Sequence, residues 1–251
     1  MLLAIDIGNS SISCALMRGP RIKSRWRIPV AGALSYRRVG PQLLRRIGKK
    51  QARLIQGICM VSVVPGLNSL FRRACQQSLG LRPLLATPQT IGIPIPAYNR
   101  RQVGPDRLVV ATAAHARFRR PLIVVDVGSA ITVDCVSKRG QFLGGAILPG
   151  IEMAASALHQ MAARLPRVRI RPPARTVGRS TPEAIRTGVI YGIAGALERL
   201  IREMRREMGG RPLVIATGGD AELMARACSD IQHLCPDLIF EGLQLVWERN
   251  R

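Results

Sequence analysis

Two short turns in this 251-residue sequence carry the residue types that phosphate chemistry uses. Asp6-Ile7-Gly8-Asn9-Ser10 follows the apolar run at 2–5, and Asp126-Val127-Gly128-Ser129-Ala130 follows the apolar run at 122–125. A glycine at a strand end lets backbone approach a ligand, and successive amide N–H groups with a small hydroxyl can bond phosphate oxygens. The aspartate beside them suits a phosphate-bound Mg²⁺ through water, because Mg²⁺ keeps several of its own waters. Thr217-Gly218-Gly219 offers a third glycine turn. One such turn alone reads as a hairpin whose Asp and Asn satisfy its own backbone. Two at equivalent places, with a third after another strand, favour a nucleotide cleft. No GxxxxGK[ST] run is present, which excludes a P-loop enzyme.

The elements that must hold these turns form a repeat. Residues 6 and 8 recur at 126 and 128, and each turn is followed by a β-like stretch, at 12–17 and at 131–136. An internal repeat at half the chain length predicts a duplicated α/β domain, 1–118 and 119–251, with a cleft between the halves. The remaining pattern fits that plan. Strands are expected at 57–64, 141–150 and from 212, and helices at 65–79, 106–118 and 151–163, with one more after the glycine turn at 218–219. Thr181-Pro182 reads as an N-cap and a first-turn proline opening a helix to about 208. Its Ile185, Val189, Ile193, Leu197, Leu200 and Met204 are spaced for a face buried in a domain core. Residues 87–103 and 165–180, each with three prolines, read as loops.

Composition excludes several classes. The chain has 38 Lys and Arg against 15 Asp and Glu, a net +23. Only residues 23, 49, 50 and 138 are lysine, and the arginines are spread over most of the chain, densest at 167–179 and again at Arg199, Arg202, Arg205 and Arg206. Aromatic content of 4% provides no evident base-stacking platform, so the charge reads as solvated surface and nucleic acid is the less favoured partner. No window nears the roughly 18 to 20 apolar residues of a membrane span. The apolar start contains Asp6 and lacks a basic flank, unlike a signal peptide. Six scattered cysteines without a CxxC pair point to reduced thiols and a cytoplasmic location. Three distant histidines make no metal site.

The motifs together resemble type III pantothenate kinases. DIGNS at 6–10, VSVVP at 61–65, GPDRL at 104–108, DVGSAITVD at 126–134, GGAILPGI at 144–151 and TGG at 217–219 occur in that family's order. The resemblance implies two ribonuclease-H-like domains of the actin-like ATPase kind and a homodimer. It implies transfer of the ATP γ-phosphoryl group to pantothenate, the first step towards coenzyme A, with Mg²⁺ and a monovalent cation, K⁺ or NH₄⁺. It also implies roles. Asp6, Ile7, Gly8, Asn9, Ser10, Ser11, Ile12 and Ser13 would form the first phosphate turn, and Ser129 would touch ATP. Asp126 would bind the monovalent cation. Tyr98, Gly104, Pro105, Asp106, Arg107 and Thr181 would line the pantothenate pocket, with Asp106 the general base.

Each residue has a plainer reading. Asp106 suits the first turn of a helix by charge alone. Thr181 can be a cap, and Ser180 with Glu183 could make a capping box instead. Serine stands at Ser10 and Ser129 where the family usually has threonine. The turn continues SISCAL, without a basic residue, and Arg100 and Arg101 stand where relatives often have uncharged residues. Two other classes stay open: a regulatory or nucleic-acid-binding protein of the same fold without catalysis, and a kinase for another small alcohol. The intact Asp6, Asp106 and Asp126 argue against the first, and the GPDR segment against the second.

Overall fold

A computed structural model describes residues 1–30, 36–96, 99 and 101–251. It divides into two compact units, Met1–Arg117 with Leu238–Arg251, and Phe118–Asp237. The first begins with strands β1 (Leu2–Ile7), β2 (Ser11–Arg18) and β3 (Arg21–Pro29), then helices α1 (Tyr36–Ile47) and α2 (Lys49–Ala52). Strand β4 (Gly57–Ser62), helix α3 (Pro65–Leu79), strand β5 (Leu84–Leu85) and helices α4 (Pro88–Ile91) and α5 (Pro105–Phe118) follow. The second unit has strands β6 (Leu122–Val127), β7 (Ala130–Val136) and β8 (Phe142–Pro149), helices α6 (Ile151–Met161) and α7 (Thr181–Met208), strand β9 (Leu213–Thr217), helix α8 (Ala221–Ala227) and strand β10 (His233–Leu234). Helix α9 (Leu238–Arg249) closes the chain.

The duplicated α/β architecture expected from the turns extends to whole sheets. The strand orders are β3-β2-β1-β4-β5 and β8-β7-β6-β9-β10. In each, the first three strands in sequence are antiparallel and the last three in the order are parallel. Strands β1 and β6 have the same burial pattern, buried throughout except for a half-buried aspartate. A strand covered on both faces reads as an unbroken apolar run, which is why both were legible as such. The core of the first unit joins Leu3, Ile5 and Ile7 to Val39 and Leu43 of α1 and to Phe71 and Ala74 of α3. The second core joins Ile123 and Val125 to Ile185, Val189, Ile193, Leu197 and Ile201 of α7 and to Met224 of α8.

Four expectations change. The second domain does not run to 251: α9 belongs with the first unit, packed on β1 and β4. Its fit is close, since a Cβ on Gly57 would lie 2.6 Å from Cε2 of Trp247, and one on Gly242 would lie 2.5 Å from Cγ1 of Val109 in α5. The N-cap of α7 is Ser180, whose side chain accepts from the Glu183 N–H, and Thr181 is the first helical residue. Glu183 turns its carboxylate to the Arg179 N–H at 2.8 Å, so the capping box is not closed. The buried face of α7 continues at Ile201, with Leu200 and Met204 at the margin. The segment 87–103 is not all loop: Thr87 and Thr90 form a reciprocal capping box that starts the short α4. Strand β3 and helices α1 and α9 were not anticipated.

Candidate active site

The turn at 6–13 is built on the β1–β2 hairpin. Ile7 pairs with Ile12 and Asp6 with Ser13. The Gly8 N–H donates to the Ser11 carbonyl at 3.1 Å, and the Val30 N–H donates to the Ser10 carbonyl at 3.2 Å, tying the turn to the end of β3. Ile7 and Ile12 anchor it in the core, while Asn9 and Ser10 are exposed and Asp6, Gly8, Ser11 and Ser13 half-buried. On the neighbouring β4 the Val63 N–H donates to the Ile7 carbonyl at 3.0 Å. The Ser62 hydroxyl bonds both the N–H and the carbonyl of Val64, at 3.1 Å each, and so shapes the entry to α3. VSVVP therefore acts as the abutment of the turn.

The second turn is one residue shorter. Val127 pairs with Ile131, and the Gly128 N–H donates to the Ala130 carbonyl at 3.1 Å. Two glycines from other segments press on it. A Cβ on Gly150, just before α6, would lie 2.5 Å from the Gly128 carbonyl oxygen and overlap that of Ser129. A Cβ on Gly218 would lie 2.5 Å from both Asp126 Oδ1 and the Val127 carbonyl oxygen, and its φ of +96° is one that glycine tolerates best. Thr217 sits across from Asp126 in the parallel β6–β9 register, and the Asp220 N–H donates to the Val127 carbonyl at 3.1 Å. Asp126, Ser129, Gly150 and the Thr217-Gly218 turn are thus brought together within the second unit.

A neighbouring feature was missed. Asp134 is 2% exposed and accepts from the Thr132 hydroxyl at 3.1 Å. A Cβ on Gly145 of β8 would lie 2.7 Å from its Oδ1. The register puts Asp126, Thr132 and Asp134 on one face of the sheet. The signal was present as a carboxylate inside an otherwise apolar strand, a residue type that is rarely buried without partners.

Asp106 lies in the first turn of α5, half-buried, with Oδ1 sealed from solvent and without a hydrogen-bond partner among the described residues. Burial pushes its carboxyl above the ordinary value; the Arg107 backbone N–H and then the Arg107 guanidinium oppose that shift. A side chain on Gly104 would overlap Oδ1, so a glycine there gives the carboxyl its place. Arg107 is only 7% exposed and engaged within the protein. Thr181 is exposed at the start of α7 in the second unit, and Tyr98 and Arg100 lie outside the described residues.

Among the described residues no three His, Cys, Asp or Glu side chains gather to hold a metal ion. The donor set still fits Mg²⁺ carried in with nucleotide phosphates, since Mg²⁺ sites commonly take one or two carboxylates and retain water. All six cysteines are buried free thiols. Burial pushes those of Cys59, Cys75 and Cys135 to about 12, which removes them as nucleophiles at neutral pH. No helix among the described residues is long and apolar enough to cross a membrane.

Comparison with known proteins identifies the family and the fold. The type III pantothenate kinase of Moorella thermoacetica is 40% identical over 254 residues, covering 100% of each chain. A Campylobacter jejuni protein classed in the Baf transcriptional activator family superposes with a TM-score of 0.64 at 22% identity, covering 99% of this chain and 98% of that one. The inorganic polyphosphate/ATP-glucomannokinase of an Arthrobacter species superposes with a TM-score of 0.53 at 13% identity, covering 100% and 99%. At such identities these two likenesses speak to the fold alone, a duplicated α/β architecture shared with sugar kinases. The family model for type III pantothenate kinase matches residues 2–203, and with the full-length relative it shows that the chain is a kinase belonging to the type III pantothenate kinase family.

Proposed function

We propose that this chain carries out its family's reaction, ATP-dependent phosphorylation of pantothenate, with Asp106 as the general base. One observation carries the reading: the Asp106 Oδ1 is buried and has no hydrogen-bond partner among the described residues. A buried acceptor left unsatisfied costs roughly 1–3 kcal/mol, a cost that a substrate hydroxyl removes by donating to it. Its raised pKa also makes the carboxylate a stronger base than a solvated aspartate. The pantothenate hydroxyl gives its proton to Asp106 as its oxygen bonds the γ-phosphorus and the bond to the ADP oxygen breaks. The family's acceptor-binding roles fall to Tyr98, Gly104, Pro105, Arg107 and Thr181. Residues 6 to 13 and Ser129 bind ATP, and Asp6 orients the nucleotide's Mg²⁺, which neutralises phosphate charge when bound. Asp126 holds the monovalent cation, K⁺ or NH₄⁺. The chain acts in the cytoplasm as a homodimer.

The test is ADP release with Mg–ATP and pantothenate in potassium and then sodium buffer, with Asp106→Asn and Asp126→Asn alongside. Pantothenate-dependent turnover that needs potassium, collapses in Asp106→Asn and loses its cation response in Asp126→Asn is the expected result. Folded protein that binds ATP without turning over pantothenate would sink it.

A further inference from the structure

The first phosphate turn has no cation of its own, and the fold brings one to it from another strand. From residue 7 to residue 105 the sequence has no aspartate or glutamate, so the 17 lysines and arginines of that stretch have no acidic neighbour in sequence. Strand β3, the edge of its sheet, alternates exposed cations with inward residues: Arg21, Lys23, Arg25 and Arg27 are exposed, while Trp26 and Ile28 are buried. The register fixes where each cation stands. Ile28 pairs with Ile12 and Ile12 with Ile7, and all three point into the core. Their neighbours Arg27, Ser13 and Asp6 pair across the same three strands and therefore share the opposite face. Adjacent strands lie about 4.8 Å apart, so Arg27 is one strand from Ser13 and two from Asp6. Two residues further on, Pro29 pairs with Ser11 of the turn itself, and the next residue, Val30, donates to the Ser10 carbonyl. Arg25 is one step further back along the row, Lys23 is the residue skipped at an irregularity in the β2–β3 register, and Arg21 lies beyond it.

We infer that Arg27 is a nucleotide-binding residue whose guanidinium engages the phosphates of ATP held by the turn at 6–13. Arg27 is exposed and forms no ion pair with the described residues. Its planar fork can bond two phosphate oxygens at once. The duplication argues that the charge is not a demand of the sheet. In the second unit the same lattice position, reached from Asp126 through Thr132, is Ile147, which is 63% exposed. An exposed isoleucine there and an arginine here mark a difference in what each hairpin meets.

The inference rests on the turn at 6–13 being an ATP phosphate site, and the experiment separates the two. Calorimetric titration of the full chain with Mg–ATP, Mg–ADP and adenosine is compared for wild type, Arg27→Gln, Arg27→Lys and Arg21→Gln. Arg27→Gln should bind ATP and ADP about 10- to 100-fold more weakly, the loss of one or two charge-assisted hydrogen bonds, with adenosine affinity unchanged. Arg27→Lys should recover part of the loss, and Arg21→Gln should match wild type. Equal ATP affinity in wild type and Arg27→Gln overturns the inference, as does an equal loss for adenosine or in Arg21→Gln. A wild-type chain that binds no ATP overturns the reading of the turn instead. Circular dichroism and melting of each variant show that any loss is not unfolding.

Discussion

Asp106 bears two opposed demands, and both can be measured. In its proposed role as general base it must lose its proton, yet burial raises its pKa above the ordinary 3.8. Asp106→Asn should lower kcat by about 10²- to 10⁴-fold, the usual contribution of general-base catalysis, with ATP affinity unchanged. In the wild type, kcat/KM for pantothenate should fall on the acid side with an apparent pKa above 3.8. The sign for stability follows. A carboxyl whose folded pKa is raised binds more protons folded than unfolded between the two pKa values, so stability declines as pH rises through that window. Asp106→Asn should therefore melt higher than wild type at neutral pH, and the gap should close on acidification, where the wild-type carboxyl is protonated. A variant less stable at every pH would show that the carboxylate holds α5 through the helix dipole instead. Asp6, Asp106 and Asp126 were legible because each sits at a strand or helix end two residues from a glycine. The burial of Asp106 and the partnering of Asp134 were not, because they depend on what other segments bring against them.

At the scale of elements, one boundary changes what two adjacent hydroxyls are for. Ser180 caps the 28-residue α7, and Thr181 stands inside it. Ser180→Ala should cost about 1 kcal/mol, or a fall in Tm of roughly 2–4 °C. Thr181→Ala should leave Tm nearly unchanged and raise the KM for pantothenate. Reversal of the two results would restore Thr181 as the cap. Gly150 couples a helix start to a turn in the same way. Gly150→Ala drives a methyl into the Gly128 and Ser129 carbonyls, and should destabilise by about 1–3 kcal/mol while raising the KM for ATP. Long apolar elements were legible from sequence, since period and length both speak. Strands β5 and β10, two residues each, are too short to carry a period. Strand β3 does alternate strictly at its end, as Arg25-Trp26-Arg27-Ile28, but its charge masks the pattern. Exposed cations are common on edge strands, where they discourage pairing with another chain.

The whole molecule is a duplication that does not end where the arithmetic of half-lengths puts it. The offset of 120 holds through both glycine turns, and the shorter second turn then reduces it to 119, since Ile12 and Ile131 occupy equivalent places. The larger departure is α9, which follows the second unit in sequence and folds with the first. No local pattern could reveal this, because Leu238–Arg249 is amphipathic and would suit either sheet; only the complementary shapes of Gly57 with Trp247 and Gly242 with Val109 decide it. The first unit is therefore incomplete until the last residues are made. A chain ending at Asp237 retains every element of the second unit and bares β1 and β4 of the first. Hydrogen exchange of that truncated chain should show β1 and β4 exchanging close to unfolded rates, while β6 and β9 stay protected. Trp247→Ala in the full chain should give a milder form of the same asymmetry, costing less than the roughly 3–5 kcal/mol of a fully buried tryptophan because Trp247 is half-buried. Retained protection of β1 and β4 in the truncated chain would mean that α9 covers a sheet already able to stand alone. Loss of protection in all four strands would mean that the two units fold as one cooperative body, and the asymmetry would then say nothing about which sheet α9 completes.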